Sequence, residues 1–138
     1  MTMQKKEILF ENKLYAFVCS LNELKDGLEF FSDDSDYIQI GTWKYKKNSA
    51  TVPHYHIEHE KPSKLTQEVV FVYKGSLKCK VFTKEGRLIE EVDLKEGELI
   101  VQLYGAHEYI TNEDSIILEI KNGPYFGPEI DRKRINII

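Results

Sequence analysis

The sequence has few cysteines and no long hydrophobic stretch. Its two cysteines, Cys19 and Cys79, lie far apart and form no CxxC pair. This usage is typical of reduced thiols in a cytosolic protein. No segment approaches the roughly 18 consecutive apolar residues that a membrane-spanning helix needs. Residues 1–7 are polar and lack the apolar core of a secretory signal. These absences predict a cytoplasmic protein without a membrane partner.

The chain also lacks a concentration of charge of one sign. Its 19 basic and 23 acidic residues are mixed along the chain, and the formal net charge is −4. Proteins that bind nucleic acid usually show a basic stripe, which is missing here. The cluster Arg132-Lys133-Arg134 is so short that it is more typical of a solvated end. We therefore expect a small-molecule partner and no nucleic acid.

What the sequence does contain is a series of short segments with alternating polarity. A length of 138 residues fits one domain. Residues 20–31 are compatible with a short helix behind a Ser20 N-cap, although Gly27 weakens that prediction. Regularly spaced short strands with frequent turns indicate an all-β barrel or sandwich with little helix. We predict leading strands within 8–19 and further strands at 37–45, 51–57, 68–73, 77–82, 88–94, 99–103, 107–111 and 115–121.

Three of the four histidines lie beside the ends of predicted strands. His54 and His56 are separated by one residue, so on a strand they share a face, while Tyr55 points the other way. Neutral imidazole is a common ligand of first-row transition metals. By itself the pair is as typical of an ordinary surface as of a metal site, so the surrounding spacing decides what it indicates.

That spacing resembles the first motif of the cupin superfamily, in which a glycine, five residues, HxH, a spacer, a glutamate, six residues and a glycine follow one another. The corresponding positions are Asn48, His54, His56, Glu68 and Gly75. The stretch from Gly97 to His107 resembles the second motif, which closes with a glycine and the last histidine ligand. The resemblance extends from about residue 37 to residue 121.

Four departures from the cupin pattern are visible. Asn48 stands in place of the first glycine, and Asn is the next best residue at positive φ. Eleven residues, 57–67, separate His56 from Glu68, where the family has a shorter spacer. Leu103 replaces the usual proline, and Gly105 is one residue nearer to His107 than usual.

The resemblance implies a single-domain jelly-roll antiparallel β-barrel with a core at about 37–121, N-terminal strands at 8–19 and a C-terminal extension at 122–138. It implies one divalent transition metal (Fe, Mn, Ni, Co or Zn) on His54, His56, Glu68 and His107. It also implies a homodimer, which the apolar leading strands would support if they lay over a neighbouring sheet. A rival cluster, His59 with Glu58 and Glu60, is more typical of a solvated loop.

The predicted pocket is aromatic and hydrogen-bonding, which suits sugars and small acids. Glu119 and Lys121 share one face of the last predicted strand, so they either face solvent or line the pocket. In the second case they are the candidate catalytic acid and base. The predicted wall comprises Gln39, Trp43, Tyr45, Tyr104, Tyr109 and Tyr125.

These features favour a metal-dependent enzyme of the isomerase or epimerase type that acts on a small polar metabolite such as a sugar derivative. An open metal site polarises a carbonyl or hydroxyl group, which suits this chemistry. Two alternatives stay open, because one fold hosts many functions. They are an Fe(II)-dependent dioxygenase and a non-catalytic binding or storage protein.

Overall fold

The computed structural model describes residues 5–138, and their regular secondary structure is almost entirely antiparallel β-strand. The prediction of a nearly all-β chain with little helix is confirmed. No helix of the described part is long and apolar enough to cross a membrane. The elements are β1 (Lys6–Phe10), β2 (Lys13–Ser20), β3 (Gly27–Phe30), β4 (Gly41–Lys44), β5 (Glu68–Lys74), β6 (Ser76–Phe82), β7 (Leu88–Lys95), β8 (Glu98–Gln102), β9 (Ala106–Thr111), β10 (Ile116–Lys121) and α1 (Pro128–Asp131).

Two sheets enclose the first hydrophobic core. A five-stranded sheet has the order β1-β2-β8-β5-β10, and a three-stranded sheet has the order β7-β6-β9. Alternate residues of β5 and β6 point into the space between them, as the period of two in a strand requires. Val70 and Val72 from the larger sheet pack in one cluster with Cys79 and Val81 from the smaller sheet.

A second core lies on the other face of the five-stranded sheet. Phe17 and Val101 belong to this cluster, together with Phe31 and Ile38 from the segment that follows β2. The buried Gln67 side chain holds the segment in place. Its Oε1 accepts hydrogen bonds from the backbone N–H groups of residues 37 and 38, and its Nε2 donates one to the carbonyl of residue 103.

The leading strands are part of this architecture. β2 lies between β1 and β8, and Ala16 and Phe17 are completely buried within the chain. They therefore cover the chain's own core, and the support that they were expected to give to a homodimer is lost. The homodimer itself stays a prediction.

Irregular strand pairing occurs at three places. Ile8 pairs with Ala16 but Leu9 pairs with Leu14, so Tyr15 is an extra residue in β2. Such a bulge lets two successive residues point the same way, and Tyr15 and Ala16 both lie in the first core. Similar shifts occur between β5 and β10 and between β6 and β7.

Three local predictions are wrong. Residues 20–31 are not helical: Gly27 has φ 95°, and β3 pairs instead with β4, placing Leu28 opposite Trp43. The strand predicted at 37–45 is reduced to β4, because Gln67 takes the N–H groups at 37 and 38 that a strand ladder would use. Residues 51–57 form no strand. Pro53, directly before His54, has no N–H to donate to a ladder.

Candidate active site

A row of polar side chains crosses the inner face of the five-stranded sheet. Gln102 of β8 and Lys121 of β10 are the cross-strand partners of Glu68 on β5. Directly opposed residues share a face, and this face is the inner one because Val70 lies in the first core. His107 and Tyr109 project from β9 of the facing sheet. Tyr109 packs on the same core, next to its partner Cys79.

The carboxylate of Glu68 joins the two sheets. The distance from His107 Nε2 to Glu68 Oε1 is 2.9 Å, and the Tyr109 hydroxyl donates to the same oxygen at 2.7 Å. Lys121 Nζ lies 3.8 Å from Oε2 of the same carboxylate. Only 5% of the Glu68 side chain is exposed. A buried carboxylate needs such partners, since an isolated buried charge is very costly.

Two neighbouring carboxyl groups have pKa values that are shifted in opposite directions. Burial alone raises the pKa of Glu68, but the hydrogen bond and charge of His107 and the hydrogen bond of Tyr109 outweigh it and lower the pKa to about 2. Burial and the adjacent Glu68 carboxyl raise the pKa of Glu119, against the opposing effect of Lys121. Two carboxyl groups whose pKa values differ in this way are suited to different roles in acid–base chemistry.

The cluster becomes more exposed towards one side of the molecule. β9 and β10 are edge strands of their sheets. The exposed side-chain fraction is 30% for Lys121, 35% for His107 and 49% for Glu119. Lys121 Nζ lies 3.9 Å from Glu119 Oε2 and 5.9 Å from the centre of the Tyr125 ring, which lies in the C-terminal extension. A small molecule can therefore reach these groups from solvent.

The structure thus brings together five of the predicted site residues, Glu68, His107, Tyr109, Glu119 and Lys121, with Tyr125 at the rim. Four predicted pocket residues have their contacts elsewhere. Trp43 and Tyr45 are exposed and contact each other, with ring centres 6.2 Å apart. The amide of Gln39 donates to backbone carbonyls of residues 33 and 36. Tyr104 packs against Tyr15 and lies under Lys13.

His54 and His56 lie on the irregular segment 45–67, which contains no strand or helix, and both side chains are exposed. Their ring centres are 5.4 Å apart, and His54 Nδ1 lies 2.8 Å from the carbonyl oxygen of Val52. The end of the segment is anchored by Asn122, whose amide donates to Ser63 Oγ at 2.7 Å. His59, from the rival cluster, makes its contact with the adjacent backbone carbonyl of residue 60.

The predicted metal ligands are not assembled in this conformation. Glu68 and His107 contact each other, while His54 and His56 form a separate exposed pair. Among residues 5–138, no group of three or more His, Cys, Asp or Glu side chains is placed to hold a metal ion. The described residues therefore do not fit a bound metal as they stand.

Gly105 is the residue that lets the chain turn from β8 into β9 and so places His107. Its φ is 83°, and a Cβ atom there would lie 2.6 Å from the carbonyl oxygen of Phe82 and from the Tyr15 ring. A side chain is thus disfavoured by both the backbone and the space. Asn48 also has a positive φ, 68°, as expected for a residue that replaces a glycine.

Gln102 is a member of the cluster that the sequence analysis missed. Only 3% of the residue is exposed, and neither Nε2 nor Oε1 has a hydrogen-bond partner within the described residues. The signal was available: Gln102 lies two residues after Ile100, at an inward position directly after the apolar run 99–101. A polar residue at such a position is uncommon unless it has a function.

Comparisons with protein-family models, curated proteins and solved structures found no match. The cupin resemblance stays a prediction based on motif spacing.

Proposed function

We propose that the polar cluster is the active site of an enzyme with a cupin-like fold that isomerises or epimerises a small polar metabolite by proton transfer. One observation carries this proposal. Glu119, a carboxyl group with a raised pKa, lies beside the ionised Glu68 at the solvent-open side of the sheets. Such reactions need a group that accepts and donates a proton, and a raised pKa makes a carboxyl group a stronger base for this role.

Each group has a distinct role in this proposal. Glu119 removes the proton from the carbon next to the substrate carbonyl. Negative charge develops on the carbonyl oxygen as the proton leaves, and Lys121 is the nearby cation that stabilises it. In isomerisation, Glu119 then gives the proton to the former carbonyl carbon while the hydroxyl proton moves to the former carbonyl oxygen. In epimerisation, water gives a proton to the opposite face of the same carbon and Glu119 releases its proton to solvent. Glu68 does not exchange protons, because its low pKa keeps it ionised. It orients His107 and Tyr109 by accepting their hydrogen bonds.

The test uses solvent exchange, since both isomerisation and epimerisation incorporate deuterium from D₂O next to the carbonyl. A panel of neutral aldoses and ketoses is incubated with the protein and followed by NMR. Glu119→Gln keeps the shape and removes the acid–base group, so exchange should fall by roughly 10²–10⁴-fold. Glu108→Gln is the matched control: Glu108 lies on β9 but contacts Lys80. Unchanged exchange in a folded Glu119→Gln variant would reject the proposal.

A metal-dependent form of this enzyme is the second candidate. It is supported by the contact between His54 Nδ1 and the Val52 carbonyl, which leaves Nε2 free. Metal-binding histidines commonly use their second nitrogen in this way. In this candidate His54, His56, Glu68 and His107 hold one divalent transition metal, which requires segment 45–67 to approach the cluster.

Elemental analysis tests the second candidate. It expects about one transition metal per chain in the purified protein and loss of that metal in the double variant His54→Ala/His56→Ala. Loss from His59→Ala alone would favour the rival loop cluster. Oxygen uptake that depends on Fe(II) would support the dioxygenase, and ligand binding without deuterium exchange would support a non-catalytic binding protein.

A further inference from the structure

The molecule contains two buried glutamines that differ in one respect. Gln67 is 6% exposed and Gln102 is 3% exposed. The Gln67 side chain forms three hydrogen bonds, all of them with backbone groups of the chain. The Gln102 amide has no partner on either atom within the described residues. Buried amides are almost always hydrogen-bonded, because an unpartnered one is destabilising.

The surroundings of Gln102 do not supply the missing partners. Its cross-strand neighbours are Ala16, which is apolar, and Glu68, whose Oε1 already accepts two hydrogen bonds. The Tyr109 hydroxyl lies near the amide. This hydroxyl donates its proton to Glu68 and keeps a lone pair as an acceptor, but its position relative to the Gln102 amide is not that of an ordinary hydrogen bond.

We propose that Gln102 is a substrate-recognition residue that binds an uncharged hydroxy-carbonyl unit through its two amide atoms. This inference rests on the proposed function and specifies the substrate class of the same site. A carbonyl next to a hydroxyl presents an acceptor and a donor side by side, which complements the amide N–H and C=O. A buried polar residue that binds a substrate hydroxyl also gives strong discrimination against analogues that lack it.

The charges of the cluster favour a neutral ligand. The cluster holds two carboxyl side chains, those of Glu68 and Glu119. The ammonium group of Lys121 already lies within 4 Å of both of them. A carboxylate or phosphate placed beside Gln102 would meet these like charges, which disfavours it.

The first experiment measures stability without ligand. Gln102→Met keeps the length of the side chain and removes the unpartnered amide, so the melting temperature should rise by about 3–5 °C. Gln67→Met is the matched control and should lower the melting temperature, since it leaves three backbone groups unpartnered. A melting temperature that falls in both variants would overturn the inference, because Gln102 would then have a partner within the protein.

The second experiment measures binding by NMR in the wild-type protein, with hydroxyacetone as the probe. We expect saturable shifts of the Gln102 side-chain amide signals, which are assigned by their absence in Gln102→Met. We expect much weaker shifts with acetone, which lacks the hydroxyl, and roughly tenfold weaker hydroxyacetone binding in Gln102→Met.

The outcomes separate the two proposals. Shifts at His107 and Lys121 without any at Gln102 would overturn the role of Gln102 and leave the active site in place. Equal responses to acetone and hydroxyacetone would overturn the substrate class. Absence of shifts throughout the cluster would overturn the inference, while the proposed function would still be judged by deuterium exchange.

Discussion

The two pairs of predicted metal ligands lie in regions of very different order. Glu68 and His107 project from strands whose positions are fixed by ladders to their neighbours, and their side chains meet at 2.9 Å. His54 and His56 lie on a segment of more than twenty residues without a strand or helix. Both pairs were predicted in the same way, from the spacing of residues in the two cupin-like motifs. The difference shows that motif spacing places a side chain in space only where backbone hydrogen bonds fix the chain.

Proteolysis should reveal the largest difference between these regions. We expect trypsin to cut first in segment 45–67, at Lys46, Lys47 or Lys64, because exposed irregular backbone opens at little cost. Lys78 and Lys80 lie on β6, the central strand of its sheet, and should be cut at least about 100-fold more slowly. Mass spectrometry of early fragments measures the order.

Adding Mn²⁺ or Zn²⁺ to the same digestion sharpens the comparison. Protection of the segment that disappears in His54→Ala/His56→Ala would show that a metal draws the two pairs together. Early cuts on β6 would contradict the assignment of the ordered region.

Mutation of each pair should change stability by different amounts. Glu68→Ala leaves the Tyr109 hydroxyl and Lys121 without their buried acceptor, so unfolding free energy should fall by about 2–4 kcal/mol. His54→Ala/His56→Ala removes two exposed side chains and should change it by less than about 0.5 kcal/mol. Urea unfolding of metal-free protein measures both. Equal losses of unfolding free energy would mean that His54 and His56 are packed as firmly as Glu68.

Glu68 should make the stability of the protein depend on pH in the acid range. Its pKa is about 2 when folded and 4.5 in its ordinary state, so its stabilisation is complete above about pH 4.5 and is lost as the pH falls towards 2. The loss should not exceed about 3 kcal/mol. The difference in unfolding free energy between wild type and Glu68→Gln should therefore shrink over this range. A difference that stays constant from pH 6 to pH 2.5 would contradict the assigned shift.

Strands from residue 68 onward were predictable because each has its own alternation and a bounding turn. Six predicted strands in this region correspond to β5–β10 within one or two residues. The same alternation placed Glu119 and Lys121 on one face, and the structure directs that face inward. Between the end of β2 and residue 68, side-chain hydrogen bonds help to determine the structure. The Gln67 side chain accepts hydrogen bonds from backbone N–H groups some thirty residues away in sequence, and no local sequence pattern predicts such a contact.

The unpartnered amide of Gln102 was not predictable from composition or motif. Its burial and the engagement of Tyr109 with Glu68 follow from the packing of two sheets, which a single sequence does not specify. The inward polar position was visible, but its missing partners were not.

The register shifts in the β1–β2, β5–β10 and β6–β7 pairs have a consequence for behaviour in concentrated solution. Each pair includes one of the four outermost strands of the two main sheets, and the extra residue lies in that outermost strand for β7 and in its inner neighbour for β1 and β10. An unpaired strand edge is a template on which other chains aggregate, and the exposed outer face of β10, with Ile116, Leu118 and Ile120, adds to that risk. A bulge increases local twist, so a second flat strand can align with only a few residues. We therefore expect these irregularities to protect the chain from amyloid-like stacking.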